Sequence, residues 1–197
     1  MKKTSPKLWK NLQGRLASGE LKLDETTLTS HSGDKWFAAN LPEAVALPRS
    51  VKSVSAILKF AHRHDIPVTP RGAGQGYVGG CVPSRGGIAL SLARMGRIRE
   101  INTKDFVAVV QPGVITGVLQ EEAEAKGLYY PPDPASRADC SIGGNIATNA
   151  GGPRCLKYGV TSDYVLGVEV VLADGGIVRL GSRTHKNKTG FDFARFF

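Results

Sequence analysis

Two glycine-rich segments are the parts of this chain best suited to bind a ligand through the backbone. They are residues 71–80 (RGAGQGYVGG) and residues 142–152 (IGGNIATNAGG). Glycine leaves the backbone N–H group uncovered and reaches dihedral angles that other residues avoid. Successive N–H groups of this kind form a nest that binds anions. Two such segments, separated by a long stretch of chain, predict one extended anionic ligand held from both sides.

Neither segment matches the two best-known phosphate-binding loops. The Rossmann fingerprint G-x-G-x-x-G opens a helix, whereas Gly72, Gly74 and Gly76 occupy every second position and Pro83 follows soon after. The Walker loop closes with Gly-Lys-Ser/Thr, which neither segment contains. The remaining interpretation is a non-helical nest of N–H donors suited to a pyrophosphate, with added charge from Arg71.

Short strands and helices must position these segments. Apolar runs bounded by proline, glycine or polar turns predict strands over residues 44–47, 66–70, 88–92, 98–101, 106–111, 165–172 and 177–180. Apolar residues at three- and four-residue steps predict a short leading helix, a helix over residues 50–64 with Ser50 as its N-cap, and a helix over residues 114–126 that ends before Gly127. In the last helix we expect apolar residues to face inward and glutamates to face solvent: Val118, Leu119 and Ala123 against Glu121, Glu122 and Glu124.

The order of these elements predicts an α+β fold with two small units and the large ligand between them. Residues 1–35 are interpreted as a leading helical and linker segment. Residues 36–197 then form the ligand-binding domain, with one subdomain over residues 36–94 and a second over residues 95–197.

Composition and charge narrow the function classes. A chain of 197 residues with 41% hydrophobic and 22% charged residues can bury a core. The net charge of +9 suits a phosphate-bearing ligand, but no groove-reading module supports nucleic-acid binding, which we do not predict. Cys81, Cys140 and Cys155 lack disulfide or zinc spacing, so no metal site is predicted. With no apolar run of signal-peptide or membrane-spanning length, we expect a cytoplasmic protein, peripheral membrane association being left open.

Several short motifs occur in a fixed order along the chain. They are PRGAGQG at 70–76, PPDP at 131–134, IGGN at 142–145, NAGGP at 149–153, CLKYGV at 155–160 and VLGVEV at 165–170. In this combination the chain, from about Trp36 to its end, resembles the FAD-binding domain of the vanillyl-alcohol oxidase and p-cresol methylhydroxylase family. It is most similar there to the flavoprotein subunit of glycolate oxidase and its D-lactate dehydrogenase relatives.

The resemblance implies a fold of the p-cresol methylhydroxylase type, with FAD between the two subdomains and a substrate domain further downstream. It implies that the 71–76 loop binds the pyrophosphate and that residues 132–149 follow the ribityl chain and the isoalloxazine ring. The cofactor-binding residues so implied are Pro70, Arg71, Gly72, Ala73, Gly74, Gln75, Gly76, Pro132, Asp133, Ser136, Ile142, Gly143, Gly144, Asn145, Asn149, Gly151, Gly152, Tyr158 and Gly159.

The activity implied by the resemblance is oxidation of a 2-hydroxy acid of the glycolate or D-lactate type. Hydride passes to the flavin N5 atom, and an electron acceptor or companion subunit reoxidises the flavin. Relatives that attach FAD covalently in the first loop use a histidine where this chain has Gln75, so noncovalent FAD is expected. No catalytic base is assigned, and His185 and Lys186 are interpreted as residues of a solvated loop.

Two alternatives accompany this interpretation. The chain stops at Phe197, before a further glycine-rich segment and closing strand that the family would have, so it could be a non-catalytic flavin-binding fragment or half of a split enzyme. The same fold also serves NADPH-dependent reductases of enolpyruvyl sugars, but the PPDP and NAGGP motifs argue against that activity.

Overall fold

The computed structural model describes residues 4–184, 186 and 190–197. They form two compact units. The first contains the described residues up to Met95 together with the segment Val171–Ile177, and the second contains the described residues of Gly96–Val170 and Val178–Phe197. The division into a leading segment over residues 1–35 and subdomains meeting at residue 95 stays a prediction about domain organisation.

A four-stranded sheet forms the centre of the first unit. In sheet order its strands are β1 (Leu21–Lys22), β2 (Ala44–Ala46), β4 (Ile88–Ser91) and β3 (Val68–Arg71). Strand β4 is parallel to both of its neighbours and buried along its whole length, as expected for the central strand of a covered parallel sheet. Pro70 has no N–H donor, and it is tolerated because β3 lies at the sheet edge. The three strands predicted here are confirmed.

Three helices accompany this sheet: α1 (Pro6–Gln13), α2 (Glu25–Ser30) and α3 (Val51–Arg63). Helix α3 is confirmed with its predicted N-cap, since the Ser50 hydroxyl accepts a hydrogen bond from the Ser53 N–H at 3.1 Å. Trp9 and Leu12 of the leading helix are buried in the same core as the apolar face of α3. Helix α2 and strand β1 were not predicted, because neither has an apolar period. Helix α2 begins instead at a polar cap, Asp24.

The second unit contains a β-ribbon followed by short helices. Its elements up to Tyr164 are β5 (Ile98–Asn102), β6 (Val107–Val110), α4 (Thr116–Glu124), α5 (Ile142–Thr148), α6 (Cys155–Tyr158) and a 3₁₀ turn (Thr161–Tyr164). Strands β5 and β6 are confirmed, and they pair antiparallel. In α4, Leu119 and Ala123 are buried, but Val118 is 46% exposed, so its predicted inward orientation is wrong.

The second glycine-rich segment also differs from the sequence prediction. Its first seven residues form helix α5 rather than a non-helical nest. Ser141 caps this helix through its hydroxyl, which accepts a hydrogen bond from the Gly144 N–H. The helix ends at Asn149, which has a left-handed conformation with φ of 46°. This short, glycine-containing helix is therefore capped at both ends. The prediction of a loop here was wrong.

A hairpin of β7 (Gly167–Val171) and β8 (Ile177–Gly181) follows, as the Asp-Gly-Gly turn signal predicts. Its tip packs on helix α3 in the first unit, where the buried Ser55 hydroxyl donates a 2.6 Å hydrogen bond to the Gly175 carbonyl. Gly175 has φ of 83°, and a Cβ atom there would lie 2.7 Å from the Ser55 carbonyl oxygen and 3.0 Å from the Lys59 nitrogen. The turn therefore needs glycine both for its conformation and for its close approach to α3.

We expect Gly175→Ala to lower the free energy of unfolding by about 3 kcal/mol, because it combines left-handed strain with overlap against helix backbone. Gly19→Ala is the matched control in the same unit. Gly19 has φ of 76°, but its added Cβ would meet only the Arg94 side chain at 3.8 Å, so its cost is about 1 kcal/mol. Urea denaturation followed by the fluorescence of buried Trp9 measures both. Equal losses would contradict the packing role of the tip.

Candidate functional site

The first glycine-rich segment leaves strand β3 as a loop whose N–H groups are available for a ligand. Within the described residues, no backbone N–H from Gly72 to Val78 donates a hydrogen bond to another protein group. Gly74 has φ of 73°, a conformation that side chains rarely adopt. Tyr77 and Val78 are exposed. A row of successive unpaired N–H groups fits the chemistry of a polyanion such as a pyrophosphate.

Arg71 is arranged differently from a residue that simply adds charge to this loop. Its Nη1 atom donates a hydrogen bond to the Gly33 carbonyl and lies 3.2 Å from the Cys81 sulfur. A Cβ atom on Gly74 would overlap the Arg71 guanidinium. The guanidinium is therefore folded back beneath its own loop, in the space that the glycine leaves.

The segment before β2 supplies further contacts to the loop. The Gly79 N–H donates to the Asp34 carboxylate at 2.8 Å, and the Lys35 N–H donates to the Gly76 carbonyl at 3.0 Å. The Asn40 amide donates to the Pro83 carbonyl at 2.7 Å just beyond the loop. The sequence prediction did not include Asp34. Its position after Gly33 is typical of a turn, but nothing local indicates a contact with residue 79.

Two titratable groups lie beside Arg71. Burial raises the pKa of the Cys81 thiol, with Arg71 acting in the opposite direction and Asp34 in the same direction. Burial lowers the pKa of His31, and the charge of Arg71 lowers it further. Both groups are therefore biased toward their neutral forms at neutral pH.

The second glycine-rich segment is held by close packing and one buried polar contact. The Gly143 N–H donates to the Pro112 carbonyl at 2.8 Å, and a Cβ on Gly143 would lie 2.6 Å from the proline Cβ. The Asn145 amide donates to the Thr116 hydroxyl at 2.7 Å, and both residues are buried. Thr116 was not predicted as part of the site. The structure uses the Asn145 amide nitrogen to anchor helix α5.

The proline-rich connector meets the end of the same segment. The Asp133 carboxylate is bracketed by Arg154 Nε at 3.2 Å and Arg137 Nε at 3.5 Å. A Cβ on Gly152, which has φ of 153°, would overlap the Asp133 carbonyl oxygen. Pro132 is buried, and its carbonyl accepts a 2.9 Å hydrogen bond from the Gln120 amide. Asp133 and Gly152 are thus adjacent in the fold.

The remaining predicted residues follow α5. The Asn149 side-chain oxygen accepts a hydrogen bond from the Ser162 N–H at 2.9 Å. Gly159 has φ of 85°, and a Cβ there would overlap the Asp163 carboxylate, which caps Val160. Tyr158 is partly exposed and makes an edge contact with Tyr129 at a ring separation of 5.8 Å.

The structure thus divides the predicted residues between its two units. Pro70, Arg71, Gly72, Ala73, Gly74, Gln75 and Gly76 are in the first. Pro132, Asp133, Ser136, Ile142, Gly143, Gly144, Asn145, Asn149, Gly151, Gly152, Tyr158 and Gly159 are in the second. Their assignment to a cofactor stays a prediction. Lys186 is exposed, as expected, and His185 lies outside the described residues.

The partly buried phenol of Tyr130 packs against the apolar cluster that contains Ile142 in the second unit. Burial raises the pKa of Tyr130 to about 12, although the Thr161 side chain acts in the opposite direction. Its ring also makes an edge contact with Tyr164 at 5.9 Å.

Among the described parts of the chain, no helix combines the length and the apolarity that crossing a bilayer would need.

Comparison with known proteins identifies the family of this chain. A family profile described as "FAD binding domain" matches residues 42–181. The chain is 48% identical over 158 residues to the glycolate oxidase subunit GlcD of Bacillus subtilis, covering 80% of this chain and 34% of that protein. It is 39% identical to a D-2-hydroxyglutarate dehydrogenase of Stutzerimonas stutzeri, covering 98% and 42%. A D-lactate dehydrogenase of Anaerostipes hadrus is 44% identical, covering 76% and 31%.

A solved structure gives the same result for the fold. The crystal structure of p-cresol methylhydroxylase with bound substrate superposes with a TM-score of 0.77 at 25% identity, covering 97% of this chain and 37% of that one. The resemblance inferred from the motifs and the mixed α+β fold of this type are therefore confirmed. The chain spans about a third to two-fifths of the length of the curated relatives it matches.

We expect Gly143→Ala to lower the free energy of unfolding by about 2 kcal/mol, because its methyl group overlaps Pro112. Gly144→Ala is the matched control on the next residue, where a Cβ would meet only the Ser141 hydroxyl at 3.2 Å. Its effect should lie within about 1 kcal/mol of zero, since alanine favours helix. Urea denaturation followed by circular dichroism measures both, and equal effects would contradict close packing at Gly143.

We expect the free energy of unfolding to fall at alkaline pH because of Tyr130. The folded state keeps this phenol protonated to a higher pH than the unfolded chain, so its contribution is complete below about pH 10. That contribution is lost as the pH rises through about 12. We expect Tyr130→Phe to flatten the fall of stability between about pH 10 and 12, measured by urea denaturation. An unchanged slope would contradict a Tyr130 pKa raised by burial.

Proposed function

We propose that this chain, which belongs to the FAD binding domain family, is the FAD-binding part of an oxidoreductase. The proposed substrate is a small 2-hydroxy acid. The observation that carries the proposal is the row of N–H groups from Gly72 to Val78 without protein partners among the described residues. It lies in the motif that matches the family. Glycolate, D-lactate and D-2-hydroxyglutarate are the candidate substrates, because they are the acids in the names of the relatives.

The chemistry of the first loop supports binding of the FAD pyrophosphate there. N–H donors fixed by a folded backbone stabilise a phosphate without the entropic cost of ordering long cationic side chains. In this proposal the donors of residues 72–78 bind the phosphate oxygens, and Gly72, Gly74 and Gly76 let the phosphates approach the backbone closely.

The residues of the second unit are proposed to bind the flavin end of the cofactor. Asp133 and Gly152 lie in backbone contact, with no room for a Cβ atom at position 152. In this proposal the side-chain-free backbone at Gly152 borders the planar ring. The ion pairs of Asp133 with Arg137 and Arg154 stabilise this connector. When bound, FAD supplies a hydride acceptor for the hydroxy-acid carbon, and this chain's residues position the cofactor and exclude water from it.

The noncovalent state of the cofactor is part of the proposal. Gln75 is partly buried in the first loop, and its amide has no nucleophilic ring nitrogen that could form a bond to the flavin. An electron acceptor or companion subunit that reoxidises the flavin is proposed as a partner.

We expect the purified chain, loaded with FAD, to show a flavin absorbance spectrum and to release all its yellow colour into the supernatant on acid precipitation. Anaerobic addition of glycolate, D-lactate or D-2-hydroxyglutarate should bleach the flavin absorbance if the chain reacts by itself, and L-lactate is the stereochemical control. Flavin retained in the acid pellet would contradict noncovalent binding.

The other outcomes separate the candidate functions. Bound flavin that none of the acids reduces would support the alternative, a flavin-binding chain without turnover of its own. Absence of FAD binding by a folded chain, judged by circular dichroism, would contradict the proposed function.

A further inference from the structure

We propose that Asp34 and Arg71 are positioning residues that hold the first glycine loop in its ligand-binding shape, and that Arg71 does this in place of contacting the phosphates. The proposal rests on the proposed FAD function. It concerns residues 33–40, which we call the strap, and their hydrogen bonds to residues 71–83.

The strap makes four hydrogen bonds to the loop and the residues just beyond it. Gly33 accepts a hydrogen bond from Arg71, Asp34 accepts one from the Gly79 N–H, and Lys35 donates one to Gly76. The fourth is the bond from the Asn40 amide to the Pro83 carbonyl. The strap is itself folded back, with an isolated antiparallel bridge between Gly33 and Ala39. These bonds join parts of the chain separated by about forty positions, as the separations of 38, 43 and 45 show, and they order a loop that has no strand or helix of its own.

Arg71 is engaged on the protein side of the loop. Its Nη1 contacts the Gly33 carbonyl and the Cys81 sulfur, and its guanidinium fills the space that Gly74 leaves. Nη1 makes both of these contacts, while Nη2 and Cζ lie against Gly74. A lysine ammonium has a single nitrogen, so it cannot contact Gly33 and also fill the space beside Gly74. The side chain therefore links β3, the strap and the end of the loop.

Asp34 carries a negative charge, so attraction to a phosphate cannot explain its place beside this loop. A carboxylate near a bound pyrophosphate repels it, so electrostatics alone would disfavour Asp34. The carboxylate is used for structure: Oδ2 accepts from Gly79 at 2.8 Å and Oδ1 accepts from the Trp36 N–H at 2.8 Å. The negative charge of Asp34 should therefore lower the affinity for a phosphate ligand, whereas its two hydrogen bonds should raise it by ordering the loop.

The first experiment compares Asp34→Ala, Asp34→Asn and the control Asp65→Asn in the full 197-residue chain. Asp65 is exposed in the same unit, and its positive φ of 51° suits asparagine. The dissociation constant of FAD is measured by flavin fluorescence. Positioning predicts about tenfold weaker binding for Asp34→Ala, which loses two hydrogen bonds, a smaller loss for Asp34→Asn, and no loss for Asp65→Asn. Tighter or unchanged binding by Asp34→Ala would overturn the proposal for Asp34.

The second experiment compares Arg71→Lys with Arg71→Gln over a range of salt concentrations. Positioning predicts that both variants weaken FAD binding to a similar extent, about tenfold, and that Arg71→Lys, which keeps the charge, also keeps the salt dependence of the wild type. A direct phosphate contact predicts that lysine preserves affinity and that glutamine reduces the salt dependence, because a screened charge interaction is lost. That second pattern would overturn the proposal for Arg71.

Hydrogen exchange of the FAD-free protein tests the strap independently of the cofactor. In Asp34→Ala we expect faster exchange of the Gly79 N–H and its loop neighbours, with unchanged exchange in strand β4 as the internal control for folding. If the wild type binds no FAD, the proposed function fails, and this measurement alone decides whether Asp34 orders the loop. Unchanged loop exchange would overturn the ordering role.

Discussion

A loop that offers its backbone N–H groups to a ligand cannot use the same groups to hold its own shape. Residues 72–78 lack such internal hydrogen bonds, since their N–H groups have no protein partners within the described chain. Neither helix nor sheet hydrogen bonds can order such a loop, so contacts from outside must do so. In the first unit these contacts come from Arg71 and from the strap, which includes Asp34. Glycine at position 74 makes room for the arginine.

The second glycine-rich segment meets a different requirement. Its N–H groups are largely satisfied within helix α5 and by the Ser141 cap, so here the glycines serve close approach. Gly143 allows contact with Pro112, and Gly152 allows contact with the backbone of Asp133. The same residue type therefore provides free donors in one segment and tight packing in the other.

The regular elements were accessible from sequence because their signals are local. The apolar steps of α3 and its Ser50 cap lie within one stretch of chain, and the buried run of β4 is continuous. Local signals failed where packing decided the outcome. Val118 has the right spacing to face inward, yet it is exposed because the buried face of α4 is formed by its neighbours, including Thr116 and Leu119.

Residue types and their order were enough to identify the two glycine-rich segments, the class of ligand and the FAD binding domain family. They could not show that Arg71 turns to Gly33, that Asp34 reaches Gly79, or that Asn145 donates to Thr116. The physical reason is the distance along the chain. Periodicity and capping depend on residues a few positions apart, whereas these contacts exist only after the whole unit has folded and its packing has brought distant backbone and side-chain groups together.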